Sequence, residues 1–396
     1  MILIKGATTD ILIEGDRITR ITESCQGDGP PDNLKTDEPS PCLIIDATNL
    51  VVAPGLVDIH VHFREPGFEY KEDILTGSAA AAAGGVTTCC FMPNTLPIID
   101  SVEALEQIKK KAADSPITVL PICAVTVGQK GEQLTDFAAL VEAGAVALSD
   151  DGMPIKYDEV MREALLKAEE NNKIIISHCE EEEPMVKRDV RLAAETDTRI
   201  HIAHVSTADA VDTIRKAKAA GVKVTAETCP HYFSLTEAAV EEKGSLAKMS
   251  PPLRKEKDAE AIIEGLRDGT IDIIATDHAP HSVKEKSLPF DEAPNGIIGL
   301  ETSLALSLTF LYHTGKLSLD DIIKLMSINP AKFLTLNNEI AENSAADIVI
   351  FDPDEEWTVD SSKFRSKSQN SPFCGMKLRG KVKYTISRGK LVFADK

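Results

Sequence analysis

The sequence predicts an α/β protein: a parallel (β/α)8 TIM barrel carrying a small β-sandwich domain assembled from both chain ends. Three observations predict it. Through the middle of the 396 residues, short apolar runs alternate with helical patterns about eight times, the rhythm of a closed parallel sheet. Near both ends the helical patterns give way to strand-like runs. Histidines and aspartates follow the ends of the central runs, and barrels keep their active sites where strands pass into loops at their C-terminal ends.

Residues 1–4, 9–13, 17–21 and 42–46 read as short strands broken by turns, with 26–41, rich in Gly, Pro, Asp and Ser, as an exposed loop. The apolar run from Leu50 to Val57 reads as one buried strand leading to His60 and His62. Further strands follow at 87–91, 117–122, 146–148, 174–177, 200–203, 222–225 and 271–275, with helical patterns at 102–113 and 136–143 among them. Strands without helices return at 346–351, 381–386 and 390–393. This assigns residues 1–52 and 340–396 to the sandwich and 53–339 to the barrel.

A formal charge of -20 and a pI near 4.9 repel a phosphate backbone, so no nucleic acid partner is expected. No apolar run approaches the ~20 residues of a membrane helix and the N-terminal pattern is not that of an export signal. A cytoplasmic location without membrane contact is expected. Most of the eight cysteines sit in apolar runs without CxxC spacing, which reads as reduced, buried thiols.

The chemistry starts at Asp58-Ile-His60-Val-His62-Phe-Arg64. Side chains alternate along a strand, so His60 and His62 share a face. His178 and His204 end two other apolar runs, and Asp151 and Asp277 follow two more. Together they offer six nitrogen and oxygen ligands, enough for two divalent ions. The mixture favours zinc, with manganese or cobalt as substitutes. Asp150 competes with Asp151 for the bridging place; Asp151 is preferred, and Asp150 reads as a loop cap. Taken alone, Arg64 reads as a surface ion pair, Asn94 as a turn residue and His281 as a helix cap.

The chain resembles the dihydroorotases of the cyclic amidohydrolase superfamily, in the bacterial form with an aspartate where relatives carboxylate a lysine. The resemblance spans essentially the whole chain. It rests on His60-Val-His62-Phe-Arg64-Glu-Pro-Gly67, Tyr70-Lys-Glu-Asp73, Met92-Pro-Asn-Thr95, Ser149-Asp-Asp-Gly152, His178-Cys-Glu180, His204-Val-Ser-Thr207, Pro251-Pro-Leu-Arg254 and Ala275-Thr-Asp-His-Ala-Pro-His281. It implies reversible closure of N-carbamoyl-L-aspartate to L-dihydroorotate in pyrimidine biosynthesis, using one or two zinc ions. His60, His62 and Asp277 would hold one ion, His178 and His204 the other, with Asp151 reaching one or both. Asp277 would also be the catalytic base and then acid. Arg64, Asn94 and His281 would bind the substrate carboxylate, and Ser250 would lie against the ring. A homodimer and an aspartate transcarbamoylase partner are the associations to test.

The pattern departs from the family in three places. Ser250 stands where many relatives carry Asn, only 25 residues separate His178 from His204, and the carboxylated lysine is absent. An allantoinase, a hydantoinase or a weakly active barrel dependent on the transcarbamoylase are the competing readings. Four further features are expected to be structural. His231 reads as a loop histidine satisfied by its own hydrogen bonds, and residues 180–183 as a solvated acidic helix start. His201 is expected outside the barrel, and His278 as a support for Asp277.

Overall fold

A computed structural model describes residues 1–6, 9–23 and 42–395. The expected loop 26–41 and Cys25 lie outside the described residues. Strands β1 (Ile2–Lys5), β2 (Thr9–Glu14), β3 (Arg17–Glu23) and β4 (Leu43–Asp46) form one sheet, in the order β3-β2-β1-β4. The run read as a single strand from Leu50 is divided into β5 (Val51–Pro54) and β6 (Leu56–Val61). The division falls at Pro54-Gly55 for a steric reason. A Cβ on Gly55 would come within 2.2 Å of the Thr87 hydroxyl, so only glycine lets the chain cross there.

The barrel staves are β6, β7 (Val86–Phe91), β8 (Thr118–Pro121), the segment at Leu148, β9 (Ile175–Ser177), β10 (Ile200–Ile202), β11 (Val224–Thr228) and β12 (Ile273–Ile274). All pair in parallel. Bridges from Leu148 to Cys123 and Ile175 join the two arcs, and Val61 to His278 closes the ring. Val57, Ile59, Cys90, Met92, Ile122, Ala147, Ile176 and Ala203 fill the interior. A second, larger cluster lies between staves and helices. Burial on both faces is what an all-parallel sheet requires.

β13 (Ile348–Thr358), β14 (Lys377–Ser387) and β15 (Lys390–Ala394) complete the strands, and the last sheet runs β15-β14-β13-β5. Ile2, Ile4, Ile11, Ile13 and Ile18 from the first sheet share one buried cluster with Ile348, Ile350 and Ile386 from the last. Residues at both ends of the described chain therefore pack together. Among the described residues no helix is long and apolar enough to cross a membrane, and the described cysteines are free.

Two local features aim the site. Between Asp58 and Val61, β6 holds one residue more than the facing stretch Cys89–Phe91, a bulge that leaves Ile59 and His60 both opposite Cys90. Beyond it, Phe63 stacks on Phe91 with centroids 5.7 Å apart, and Gly77 makes room for the ring because a Cβ there would lie 2.3 Å from Phe63. The loop carrying Arg64 is thus pinned to the core.

Farther out, the Glu301 carboxylate accepts from the backbone N–H groups of Arg365 and Ser366 at 2.8 and 3.1 Å. Burial nonetheless pushes its pKa up to about 7 from an ordinary 4.5. The folded state then binds the proton more tightly than the unfolded chain, so this group's contribution is full below pH 4.5 and is lost as pH rises to about 7. Glu301→Gln is expected to flatten the decline in urea-unfolding stability between pH 5 and 8, by about 1–3 kcal/mol. An unchanged slope would contradict the assignment.

Candidate metal centre and its family

The strand ends bring the six expected ligands to one rim. His60 Nε2 lies 3.2 Å from Asp151 Oδ1 and 3.7 Å from Asp277 Oδ1, while His62 Nε2 lies 3.4 Å from Asp151 Oδ2 and 3.0 Å from Asp277 Oδ1. On the other side, His178 Nδ1 and His204 Nε2 sit 3.3 and 3.7 Å from Asp151 Oδ1 and 2.8 Å from each other. Two sets of ligand atoms, His60/His62/Asp151 and Asp151/His178/His204, each fall within 4.8 Å. Asp151 belongs to both.

These residues fit metal ions. His60 Nε2 and Asp151 Oδ1 are buried without a hydrogen-bond partner among the described residues, although they face one another across the rim. Buried polar atoms are nearly always paired, so a converging set of unpaired donors wants a cation. The electrostatics agree. Burial disfavours a charged His60, yet Asp151 and Glu227 raise its pKa well above the ordinary value. Burial would raise Asp151 and Asp277, but His60 and the other imidazoles close to them lower both.

Backbone geometry sets these side chains apart from ordinary strand ends. Arg64, His204 and Asp277 have φ of 62°, 35° and 48°, in the left-handed region that non-glycine residues seldom enter. Such strain costs on the order of 1–3 kcal/mol each and concentrates at functional sites. Asp150 points away from the rim, accepting from the N–H groups of Val125 and Thr126 and from the Thr126 hydroxyl. It caps a loop, as expected.

A cleft of about 250 Å³ opens above the ligands, and Arg64, Asn94, Ser250 and His281 all line it. Arg64 Nε donates to the Pro280 carbonyl at 3.2 Å, which leaves much of its fork uncommitted. Asn94 is engaged at both ends: Oδ1 accepts from His62 Nδ1 at 2.8 Å and Nδ2 donates to Asp151 at 3.4 Å. His281 Nε2 donates to the Asn295 carbonyl at 2.7 Å, and Nδ1 faces Lys71 Nζ at 3.3 Å. Burial and the charges of Arg64 and Lys71 push its pKa down to about 2, so it is neutral. A larger cavity, about 820 Å³, lies at the opposite end of the barrel around the strand starts and contains none of these groups.

Four structural expectations need correction. Glu182 is not solvated: it is buried and accepts from the N–H groups of Ser206 and Thr207 at 2.8 and 3.0 Å, tying the loop after β9 to the loop after β10. His231 is buried on the short helix Pro230–Ser234, and among the described residues its Nε2 has no hydrogen-bond partner. His201 lies inside the barrel, not outside, in register with Ile176 and Thr225. His278 supports a different neighbour: its Nδ1 accepts from the Gly299 N–H at 3.2 Å and its Nε2 lies 3.6 Å from Glu72.

One site residue escaped the sequence reading altogether. Glu227 Oε1 lies 2.5 Å from His60 Nδ1, fully buried. β11 runs to Thr228, three residues beyond the expected end, and so carries Glu227 to the interior face. The alternation Thr225-Ala-Glu227 was the available signal.

A closed parallel barrel whose C-terminal rim gathers four histidines and two aspartates defines a hydrolase of the metal-binding barrel class. Residues 51–392 match the amidohydrolase family. The chain is 46% identical to a dihydroorotase of Acetivibrio thermocellus over 98% of its own length and 95% of the relative's, and 48% identical to one of Clostridioides difficile over 88% and 89%. Among solved structures it is similar to the L-hydantoinase (dihydropyrimidinase) of Arthrobacter aurescens, with a TM-score of 0.88 and 26% identity over 98% and 95% of the two chains. The chain therefore belongs to the amidohydrolase family and, within it, to the dihydroorotases.

Proposed function

We propose that this enzyme interconverts N-carbamoyl-L-aspartate and L-dihydroorotate, with zinc at the rim. The observation that carries the reading is Asp151 shared between two histidine pairs, beside Arg64 in the same cleft. His60, His62 and Asp277 would hold one ion, His178 and His204 the other, and Asp151 would serve both. When bound, such ions lower the pKa of water towards ~7 and supply hydroxide at neutral pH.

The remaining chemistry belongs to the side chains. Asp277 is held ionised against burial by its contact with His62, so it starts as a base. It takes the proton of the attacking water and returns it to the departing ring nitrogen. Arg64 binds the exocyclic carboxylate with its planar fork. Asn94 and His281 bound the same part of the cleft, and Ser250 stands beside the ring. In this reading Asn94 also orients His62, and His281 keeps Arg64 and Lys71 apart while remaining uncharged.

The hydantoinase likeness supplies a second reading on the same rim. The two substrates differ where Arg64 acts, because hydantoin has no carboxylate. Purified protein assayed on dihydroorotate, hydantoin and allantoin should turn over dihydroorotate first, with and without an aspartate transcarbamoylase; preference for hydantoin would overturn the proposal. Arg64→Ala should raise KM for dihydroorotate roughly 10–100-fold, the worth of hydrogen bonds to a charged group, with a smaller change in kcat. An unchanged KM would remove Arg64 from the substrate site. We also read the two outer sheets as one β-sandwich domain, residues 1–52 and 340–396, seated on a barrel of residues 53–339.

A further inference from the structure

We propose that Glu227 and His201 form a positioning chain behind His60 that makes the ion held by His60 and His62 the tighter of the two. The inference rests on the metal reading above. A carboxylate accepts hydrogen bonds and does not donate them, so Glu227 Oε1, 2.5 Å away, requires the proton of His60 on Nδ1. The nitrogen left to bind an ion is then Nε2, the atom that faces Asp151 and the rim. A carboxylate behind a ligating imidazole fixes its tautomer and raises its strength as a ligand.

The other oxygen of Glu227 faces a second imidazole at close range without hydrogen-bond geometry. Oε2 lies 3.3 Å from His201 Nε2, neither atom making a hydrogen bond among the described residues, and His201 Nδ1 meets the Thr225 hydroxyl at 2.8 Å. The Phe333 ring packs on His201 with centroids 4.7 Å apart. His201, Glu227 and His60 are all fully buried, and the row Thr225–His201–Glu227–His60 crosses the barrel interior from a half-buried Thr225 at the opposite cavity. A carboxylate at this depth needs a partner, and the short hydrogen bond from His60 supplies it while the His201 ring lies against its other oxygen.

The three other histidines lack such backing. His62 Nδ1 rests on the neutral amide of Asn94, and among the described residues His204 Nδ1 has no partner and His178 no carboxylate behind it other than the shared Asp151. The two ion positions are therefore unequal by construction.

The test is a chelator titration of the zinc-loaded protein, following ion content, with circular dichroism to verify the fold. Wild type should release its ions in two steps, the weaker belonging to His178 and His204. Glu227→Gln should weaken the tighter step about 10–100-fold and leave the other within about threefold. His201→Gln and Thr225→Val should produce smaller losses in that same step. Equal loss in both steps, or no loss in either, would overturn the chain's role. Should Glu227→Gln fail to fold, Thr225→Val decides, because it deletes only the far anchor; an unmoved tighter step in it contradicts the proposal. Wild type that binds no zinc would refute the metal reading itself, a separate outcome from two unshifted steps.

Discussion

Asp277→Asn is expected to fold like the parent and to lose about 10³-fold or more in kcat for dihydroorotate. A positioned acid or base contributes typically 10²–10⁴-fold, and here one carboxylate serves in both directions of proton transfer. The amide keeps the shape and can still meet His62, 3.0 Å from the present carboxylate, so the local packing has little reason to change. Steady-state kinetics beside a thermal melt checks this. A variant with more than about a tenth of parental kcat would show that the proton travels by another route.

Asp151→Ala is expected to do more. Asp151 lies within 3.7 Å of ring nitrogens of His60, His62, His178 and His204, and it is the only residue common to both ligand sets. Its removal should empty both positions and lower turnover by about 10⁴-fold or more, since water at neutral pH loses the ions that bring its pKa down from 15.7 towards ~7. The neighbouring acid is the control. Asp150→Ala removes the acceptor for Val125 and Thr126, so it should reduce stability by about 1–3 kcal/mol while ion content holds. Measured zinc per chain separates the two residues. Full zinc in Asp151→Ala, or none in Asp150→Ala, would reverse their roles.

The contrast between these adjacent acids shows where the sequence was legible. His60 and His62 could be paired because alternation survives the bulge in β6, and His178 because it continues the face of Ile176. Alternation could not say which face of β10 looks inward, since both faces of a barrel strand are buried and apolar. Ile200 and Ile202 turned out to pack with the outer cluster and His201 to face the interior. His204 reaches the rim by a left-handed turn, φ 35°, which no periodicity announces. Glu227 was hidden by a strand end placed too early. The fold class was readable from the strand and helix rhythm, whereas the split at Gly55 depends on its contact with Thr87, a long-range steric fact.

Elemental analysis of the purified, active protein tests the central claim most directly. The account predicts two divalent ions per chain, with zinc the expected metal, and activity that falls with ion content as chelator removes them and returns when zinc is restored. Full dihydroorotate turnover by protein free of divalent metal would contradict it.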